Sequence, residues 1–376
     1  MERVETEPRR IVLILGNGFD LDLGLKTSYK DFWESEFCPK DYPAPLIHHL
    51  NQRWPDNLES VKWYDLENEL LNYYKSIPDP DNPEDILTDE ERAFMEVFEP
   101  YKWGYGLYKD QGDLVQALYE KRVILANEKQ FLCPLSAPYK KDISQSPIWR
   151  DHKALQLIKD GLCAYLKSVC DHKTVEGISI ASNVLFAANC ARLAGADLSI
   201  YNFNYTQVPE NHGNDIQYIH GNCETGRIII GTRDDGVFNR NYDYFQKALD
   251  PSFYPPAIVS DLYDADEVII FGHSLGENDR QYFKAFFRQQ SDFSCRRRKD
   301  IIIFTWDEKS EIDIRRSLQK MTDYNLSTLF SQNHIEIIRS SMIREDANRL
   351  QAFFSNHISD VNQARVTLNQ ILERND

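Results

Sequence analysis

The hydrophobic positions of this chain form short apolar runs that are typical of buried β-strands. One run lies near the start, at residues 11–15. The other predicted strands cluster in the second half, at residues 198–204, 216–220, 227–231, 268–271, 301–306 and 335–339. In the long stretch between them, apolar residues recur at helical spacing, as at Leu155, Ile158 and Leu162. We therefore predict a sheet domain made of residues 1–34 and 180–376, interrupted by a mostly helical insertion at residues 35–179.

The order of the predicted elements indicates the type of sheet. A strand is followed by a helix at residues 268–290 and again at 301–321. This alternation is typical of parallel strands that are joined by crossover helices. We therefore predict an α/β fold of the Rossmann-like kind, with a mostly parallel sheet and flanking helices. The last helical pattern, at residues 345–372, is expected to cover one face of the sheet.

Composition and charge narrow the classes of partner. The 376 residues carry a net charge of −16, which repels nucleic-acid backbones. The basic cluster at residues 296–299 precedes a predicted buried strand, and we expect it to be a solvated helix end. No apolar run approaches the roughly 20 residues of a membrane span, and the first residues are too polar for a secretory signal. We expect a cytoplasmic protein that binds neither nucleic acid nor membranes.

The seven cysteines give no sign of a metal site or a disulfide framework. They are widely scattered and form no Cys-x-x-Cys pair. Such pairs are the usual ligands of structural zinc. We expect reduced cysteines and no bound metal.

A glycine-containing turn follows the first predicted strand. Gly16-Asn17-Gly18-Phe19-Asp20 stands between that strand and an amphipathic stretch, where a chain turns sharply and a ligand can approach the backbone. The full Gly-x-Gly-x-x-Gly pattern of dinucleotide sites is incomplete, because position 21 is Leu21. The context favours a nucleotide-binding turn. A tight turn without a ligand is the alternative.

Three other polar segments end predicted strands. Asn204 ends one, and its neutral amide can hold a water or a ribose hydroxyl, or simply stabilise a turn. His220 ends the next and is a candidate general acid or base, or a structural histidine. The segment 272–275 follows a third, and Ser274 and its backbone N–H groups suit a phosphate or a ribose. Because parallel strands end at one edge, we expect these segments to share a ligand crevice.

Two competing interpretations use the same residues. Gly272-His273-Ser274-Leu275-Gly276 also fits the Gly-x-Ser-x-Gly nucleophile elbow of α/β-hydrolases. In that case Ser274 would act with Asp307 and with His334 or His357. The other competing interpretation is a nucleotide-sensing or scaffold module without catalysis.

Four segments resemble the bacterial abortive-infection AbiH family, whose members are associated with antiphage defence. They occur in the same order: LGNGFDLDLGLKTSYKDF at 15–32, NFNYT at 202–206, IHGN at 219–222 and FGHSLGENDRQYF at 271–283. A weaker likeness lies at residues 63–67. AbiH proteins in turn look like distant members of the sirtuin-like fold, in which an insertion interrupts a Rossmann-type sheet.

The resemblance implies an NAD site. The turn at residues 16–20 would lie over the cofactor, and Asn204 would lie near the nicotinamide ribose. His220-Gly221 matches the sirtuin histidine–glycine pair, and Gly272–Leu275 matches the turn near the adenine ribose. Asp20, Ser274 and Asp279 are candidates for ribose hydroxyls or for orienting the turns, and the two aspartates are also candidate helix caps.

The activity that the resemblance implies is hydrolysis of NAD to nicotinamide and ADP-ribose, with Asn204 and His220 as the catalytic residues. Protein deacylation is disfavoured, because the sirtuin deacylases hold a structural zinc with two cysteine pairs that this sequence lacks. A toxic NADase must be silent before infection. We therefore expect an activating partner protein or assembly into a homo-oligomer, with the insertion as the region to examine.

Overall fold

The computed structural model describes residues 7–55, 65–77, 147–171, 179–209, 216–233, 240–254, 257–295, 297–359 and 361–374. The chain divides into two compact units. The sheet unit comprises Met1–Phe37, Asp160–Ile229 and Ser252–Asp376, and the insertion unit comprises Cys38–Lys159 and Ile230–Pro251. The domain bounds drawn from the sequence stay a prediction.

The sheet unit is built on a six-stranded sheet in which every strand pair is parallel. The strands are β1 (Arg10–Leu15), β2 (Asp197–Asn202), β3 (Ile216–Tyr218), β6 (Glu267–Phe271), β7 (Asp300–Thr305) and β8 (His334–Arg339). Their order in the sheet is β3-β2-β1-β6-β7-β8, which is the strand order of the Rossmann fold. A short antiparallel hairpin joins β4 (Gly221–Asn222) to β5 (Arg227–Ile228). The predicted α/β, Rossmann-like class is confirmed.

The apolar runs form the central strands of the sheet, where hydrophobic cores cover both faces. β1 pairs with β2 on one side and with β6 on the other. Along β1, Leu13 and Leu15 belong to one hydrophobic core, and Val12 and Ile14 belong to the core on the opposite face. A strand buried on both faces reads as a continuous apolar run, and this is why the sequence identifies it.

Helices cover the two faces. Those of the sheet unit are α1 (Asn17–Asp22), α2 (Tyr29–Trp33), α6 (Ile180–Leu193), α7 (Ile258–Asp264), α8 (Arg280–Gln290), α9 (Glu308–Met321), α10 (Leu326–Gln332), α11 (Ala347–His357) and α12 (Val361–Arg374). The predicted C-terminal helical segment is therefore two helices, α11 and α12. Both contribute side chains to the core that also contains Leu13.

The described part of the insertion unit consists mainly of helices. It contains α3 (Pro45–Arg53), α4 (Leu66–Ser76) and the first part of α5 (Pro147–Asp171), and its second segment adds short 3-10 turns. A buried carboxylate, Asp151, accepts hydrogen bonds from the Leu46 N–H (2.8 Å) and the Tyr73 hydroxyl (2.6 Å). Burial raises the pKa of Asp151, although these hydrogen bonds oppose the rise. Asp151 thereby joins three helices that are distant in sequence.

The basic cluster at residues 296–299 corrects one expectation. Lys299 is buried, and its ammonium donates to the carbonyl oxygens of Tyr263 (2.7 Å) and Ala265 at the C-terminal end of α7. The interpretation as a solvated helix end is therefore wrong for this residue, because a long side chain can satisfy the last carbonyls of a neighbouring helix. Arg297 is half exposed and forms an ion pair with Asp266. Arg296 lies outside the described residues.

None of the helices in the described part of the chain is both long enough and apolar enough to cross a membrane.

Candidate functional site

The loops at the carboxyl ends of β2 and β3 carry the two predicted catalytic residues. Asn202 and Tyr218 are register partners in these adjacent strands, and the Ile219 N–H continues the ladder to the Asn202 carbonyl (2.9 Å). Asn204 and His220 each follow two residues later. The parallel register therefore delivers both side chains to the same edge of the sheet.

Asn204 connects the loop after β2 to the turn after β1. Its Nδ2 donates to the carbonyl of Gly16 (3.0 Å) and to Oδ1 of Asp20 (3.1 Å). The loop itself is shaped by Asn202, whose side chain accepts from the Asn204 N–H (2.9 Å) and donates to the Thr206 carbonyl (3.0 Å). Asn204 is thus held in one orientation, with 6% of its surface exposed.

Asp20 orients this turn and does not cap a helix with its side chain. Its Oδ2 accepts from the Thr206 hydroxyl (2.6 Å), and Gly16 is the N-cap of α1. Asp20 is buried, so its contacts with Asn204 and Thr206 satisfy a carboxylate that would otherwise be costly. These contacts fit one of the predicted roles of Asp20, that of orienting the turn.

The glycines of the first turn are required by a second turn. A Cβ on Gly16 would lie 2.5 Å from the Cα of His273, and a Cβ on Gly18 would lie 2.6 Å from the Cα of Gly272. The N–H groups of Gly16 and Gly18 donate to the carbonyls of Phe271 and Gly272, both at 2.9 Å. The two turns are therefore in backbone contact. Because these two N–H groups are already bonded to carbonyls, a nucleotide at this turn would contact side chains instead of them.

The side chains of several predicted cofactor residues already have partners within the protein. Phe19 and Leu275 are buried in the hydrophobic cores, and Phe19 packs edge-on against Phe271 (5.8 Å between ring centroids). The side chain of Asn17 accepts a hydrogen bond from the Thr27 hydroxyl (2.7 Å). Ser274, in contrast, lies exposed.

His220 is paired with the carboxylate of Asp279. Its Nε2 lies 2.8 Å from Asp279 Oδ1, and Nε2 of His273 lies 3.4 Å from Asp279 Oδ2. Asp279 stands at the N-cap position of α8 but makes no side-chain capping bond. Gly221, which follows His220, has φ +80° and would place a Cβ 2.0 Å from the Arg227 carbonyl oxygen, so the β4–β5 hairpin requires glycine there.

Two polar residues of this edge, Thr206 and His273, were not predicted from the sequence. Both lie inside segments that were singled out, but no local pattern shows that their side chains reach Asp20 and Asp279. A third unpredicted residue is Phe203, whose ring contacts both His220 and His273 (5.6 and 4.4 Å between centroids). The signal for Phe203 in the sequence is its position between two polar residues, Asn202 and Asn204.

The geometry contradicts the hydrolase interpretation. A positive φ occurs at Gly272 (+65°) and Leu275 (+50°) rather than at Ser274. The side chain of Asp307 caps α9 by accepting from the Ser310 N–H (2.8 Å). His334 begins β8, and His357 bonds Glu267, which begins β6, so both histidines lie at the opposite edge of the sheet. No serine triad can form from these residues.

Two further groups near the site are neutral at physiological pH. Burial raises the pKa of the Tyr218 hydroxyl, and burial raises the pKa of the Cys223 thiol to about 12. Cys223 is therefore no thiolate nucleophile. Across the described ranges of the chain, no group of three or more His, Cys, Asp or Glu side chains is arranged to hold a metal ion.

Comparison with known proteins identifies the family. The profile described as "Bacteriophage abortive infection AbiH" matches residues 12–298, which is more than half of the chain and includes all four segments described above. No curated protein and no solved structure matches the chain. The chain therefore belongs to the AbiH family, and its biological role is in the abortive-infection defence against bacteriophage.

Proposed function

We propose that this protein acts in abortive infection by hydrolysing NAD to nicotinamide and ADP-ribose. The observation that carries the proposal is the parallel register of β2 and β3, because it delivers Asn204 and His220 to one edge beside the turn after β1. In open α/β sheets, this edge is where ligands bind.

The strand order supports a nucleotide as the ligand. The chain proceeds from β1 to β2 and β3 on one side and then returns to β6, β7 and β8 on the other. Such a reversal marks the dinucleotide crevice of Rossmann folds. In the proposed complex, the pyrophosphate lies near Gly16, Asn17 and Gly18, and the exposed Ser274 reaches a ribose hydroxyl.

The proposed reaction needs positioning and a base. The bond between the ribose C1′ and the nicotinamide nitrogen breaks, and its electron pair neutralises the pyridinium ring. A water oxygen bonds to C1′ of the oxocarbenium-like sugar, and its proton passes to His220 and then to solvent. Asn204 holds the water or the ribose. A general base of this kind contributes about 10²–10⁴-fold in rate.

The closed arrangement of the site fits an enzyme that is kept silent. Asn204 and His220 are 6% and 3% exposed, so the edge must open before a substrate reaches them. A partner protein or self-assembly that favours the open state would supply the trigger. This is the proposed basis of activation during infection.

The test is incubation of the purified full-length protein with NAD, with and without extract of phage-infected cells. Nicotinamide and ADP-ribose are measured. We expect wild type to consume NAD and Asn204→Ala and His220→Ala to be slower by about 10²-fold or more. His334→Ala is the control, because His334 lies exposed at the opposite edge. Consumption that persists in both site variants contradicts the site.

A second proposal, a nucleotide-sensing module without catalysis, is favoured by one observation. The amide of Asn204, the proposed catalytic residue, already donates to the Gly16 carbonyl and to Asp20, so this side chain is engaged in holding the two loops together. A sensor would be stabilised against heat by NAD without consuming it. The same incubation, combined with melting curves, separates the two proposals.

A further inference from the structure

Asp279 lies between two imidazoles that come from different segments of the chain. His220 follows β3 and His273 follows β6, and their Nε2 atoms lie 2.8 and 3.4 Å from the two oxygens of Asp279. One carboxylate therefore faces two ring nitrogens. This arrangement joins the loop that carries the proposed base to the turn after β6.

The hydrogen-bond pattern assigns the tautomer of both rings. Nδ1 of His273 accepts from the Leu275 N–H (3.0 Å), so the proton of this ring is on Nε2, facing Asp279. A carboxylate only accepts, so the Nε2 of His220 that faces it is also protonated. The lone pair of His220 is then on Nδ1. That nitrogen is the one that can take a proton.

The surroundings restrict rotation of the two rings. Both histidines are buried, and the Phe203 ring contacts each of them. Tyr282 of α8 contacts His220 as well (6.3 Å between centroids). The Asp279 side chain is 19% exposed and makes no capping bond to α8. The two histidines therefore face its two oxygens, and the side chain does not cap α8.

We propose that Asp279 is the positioning residue of His220, fixing its tautomer and orientation so that Nδ1 acts as the base, and that His273 holds Asp279 from the other side. The inference rests on the proposed NAD hydrolysis and replaces the ribose-binding role of Asp279. When His220 takes the proton, the carboxylate stabilises the resulting imidazolium. His273, at the longer distance, contributes less.

The test uses Asp279→Asn in the full-length protein, with Asp307→Asn as the matched control. Asp307 also precedes a helix after the sheet edge, but its partner is Ser310. An amide presents one acceptor and one donor where the carboxylate presents two acceptors. One imidazole must therefore change, and His273 is fixed by the Leu275 N–H.

We expect Asp279→Asn to lower kcat by about 10²-fold or more while KM stays within roughly threefold of wild type. Asp307→Asn should leave both constants unchanged. A raised KM with an unchanged kcat would show that Asp279 binds substrate, and it would overturn the inference, as would an unchanged kcat.

A second measurement does not depend on turnover. Long-range proton–nitrogen NMR correlations report which nitrogen of His220 is protonated. We expect Nε2–H in wild type and in Asp307→Asn, and a changed or mixed tautomer in Asp279→Asn. The same tautomer in all three proteins would overturn the inference. If no protein consumes NAD, the proposed function fails, and this measurement still decides the positioning.

Discussion

Two histidine–carboxylate pairs lie at opposite edges of the same parallel sheet. His220 and Asp279 stand at the carboxyl edge, and His357 and Glu267 stand at the amino edge. In both pairs the closest nitrogen and oxygen are 2.8 Å apart. The distance alone therefore does not tell a functional pair from a structural one.

The pair at the amino edge is closed off from solvent. The side chains of His357 and Glu267 are each 1% exposed. Nδ1 of His357 lies 2.7 Å from the Phe353 carbonyl oxygen, and Arg9 lies 3.1 Å from the same oxygen of Glu267 that His357 contacts. These contacts connect the end of α11 to the start of β6.

The pair at the carboxyl edge is less enclosed. Asp279 is 19% exposed, and its second oxygen faces His273. In parallel α/β sheets the carboxyl edge holds ligands. Exposure and the edge of the sheet, rather than the presence of a histidine–carboxylate pair, therefore indicate where chemistry is possible.

The largest expected effect on stability is at the amino edge. Glu267→Ala leaves His357 and Arg9 without their shared carboxylate, and breaking a buried pair costs about 3–5 kcal/mol. Urea unfolding measures the loss. NAD consumption per folded molecule should stay at the wild-type value. A loss of activity without a loss of stability would reverse the roles of the two edges.

A smaller effect is expected where the two turns of the carboxyl edge touch. Gly16→Ala forces a Cβ against the backbone of His273 and should cost about 1–3 kcal/mol. Gly276→Ala is the control, because its Cβ would meet only the hydroxyl of Ser274, at 3.1 Å. Thermal melting compares the two. Equal melting temperatures would show that the turns do not pack as described.

The amino edge also predicts a response to alkaline pH. Burial, followed by the charge of Arg297, lowers the pKa of the Lys299 ammonium from 10.5 to about 8. Between these pH values the unfolded chain keeps the proton that the folded chain has released, so stability rises with pH. Relative to Lys299→Met, we expect a rise of at most about 1.4 kcal/mol per pH unit.

Urea unfolding at pH values across this window measures that slope. A flat difference between wild type and Lys299→Met would show that the ammonium titrates normally and is solvated after all.

The smallest expected effect is at Asp307, a residue that lies at the carboxyl edge but has a structural role. Asp307 lies after β7 at the carboxyl edge, yet its side chain caps α9. Asp307→Ala should cost about 1 kcal/mol, the usual value of an N-cap, and leave NAD consumption unchanged. Loss of an esterase activity in this variant would restore the serine-hydrolase interpretation.

Local patterns were sufficient to predict the six strands of the parallel sheet, although the run at residues 227–231 forms only the two-residue strand β5 of the hairpin. The apolar run of β1 and the aromatic face of α8 repeat at the spacing of a buried strand and of an amphipathic helix. Strand–helix alternation then predicted parallel pairing, and the order along the chain of the four segments indicated the family. These features are encoded by neighbours in sequence, so one sequence is enough to read them.

Tertiary structure alone decided which polar side chains meet. Asp20 and Asn204 are separated by 184 residues, and His220 and Asp279 by 59. Contacts at such separations depend on strand order and register, which no local period encodes. Likewise, the sequence by itself determined that Gly16 and Gly18 make a tight turn. Only the packing of β1 against β6 showed that their missing side chains admit a second backbone.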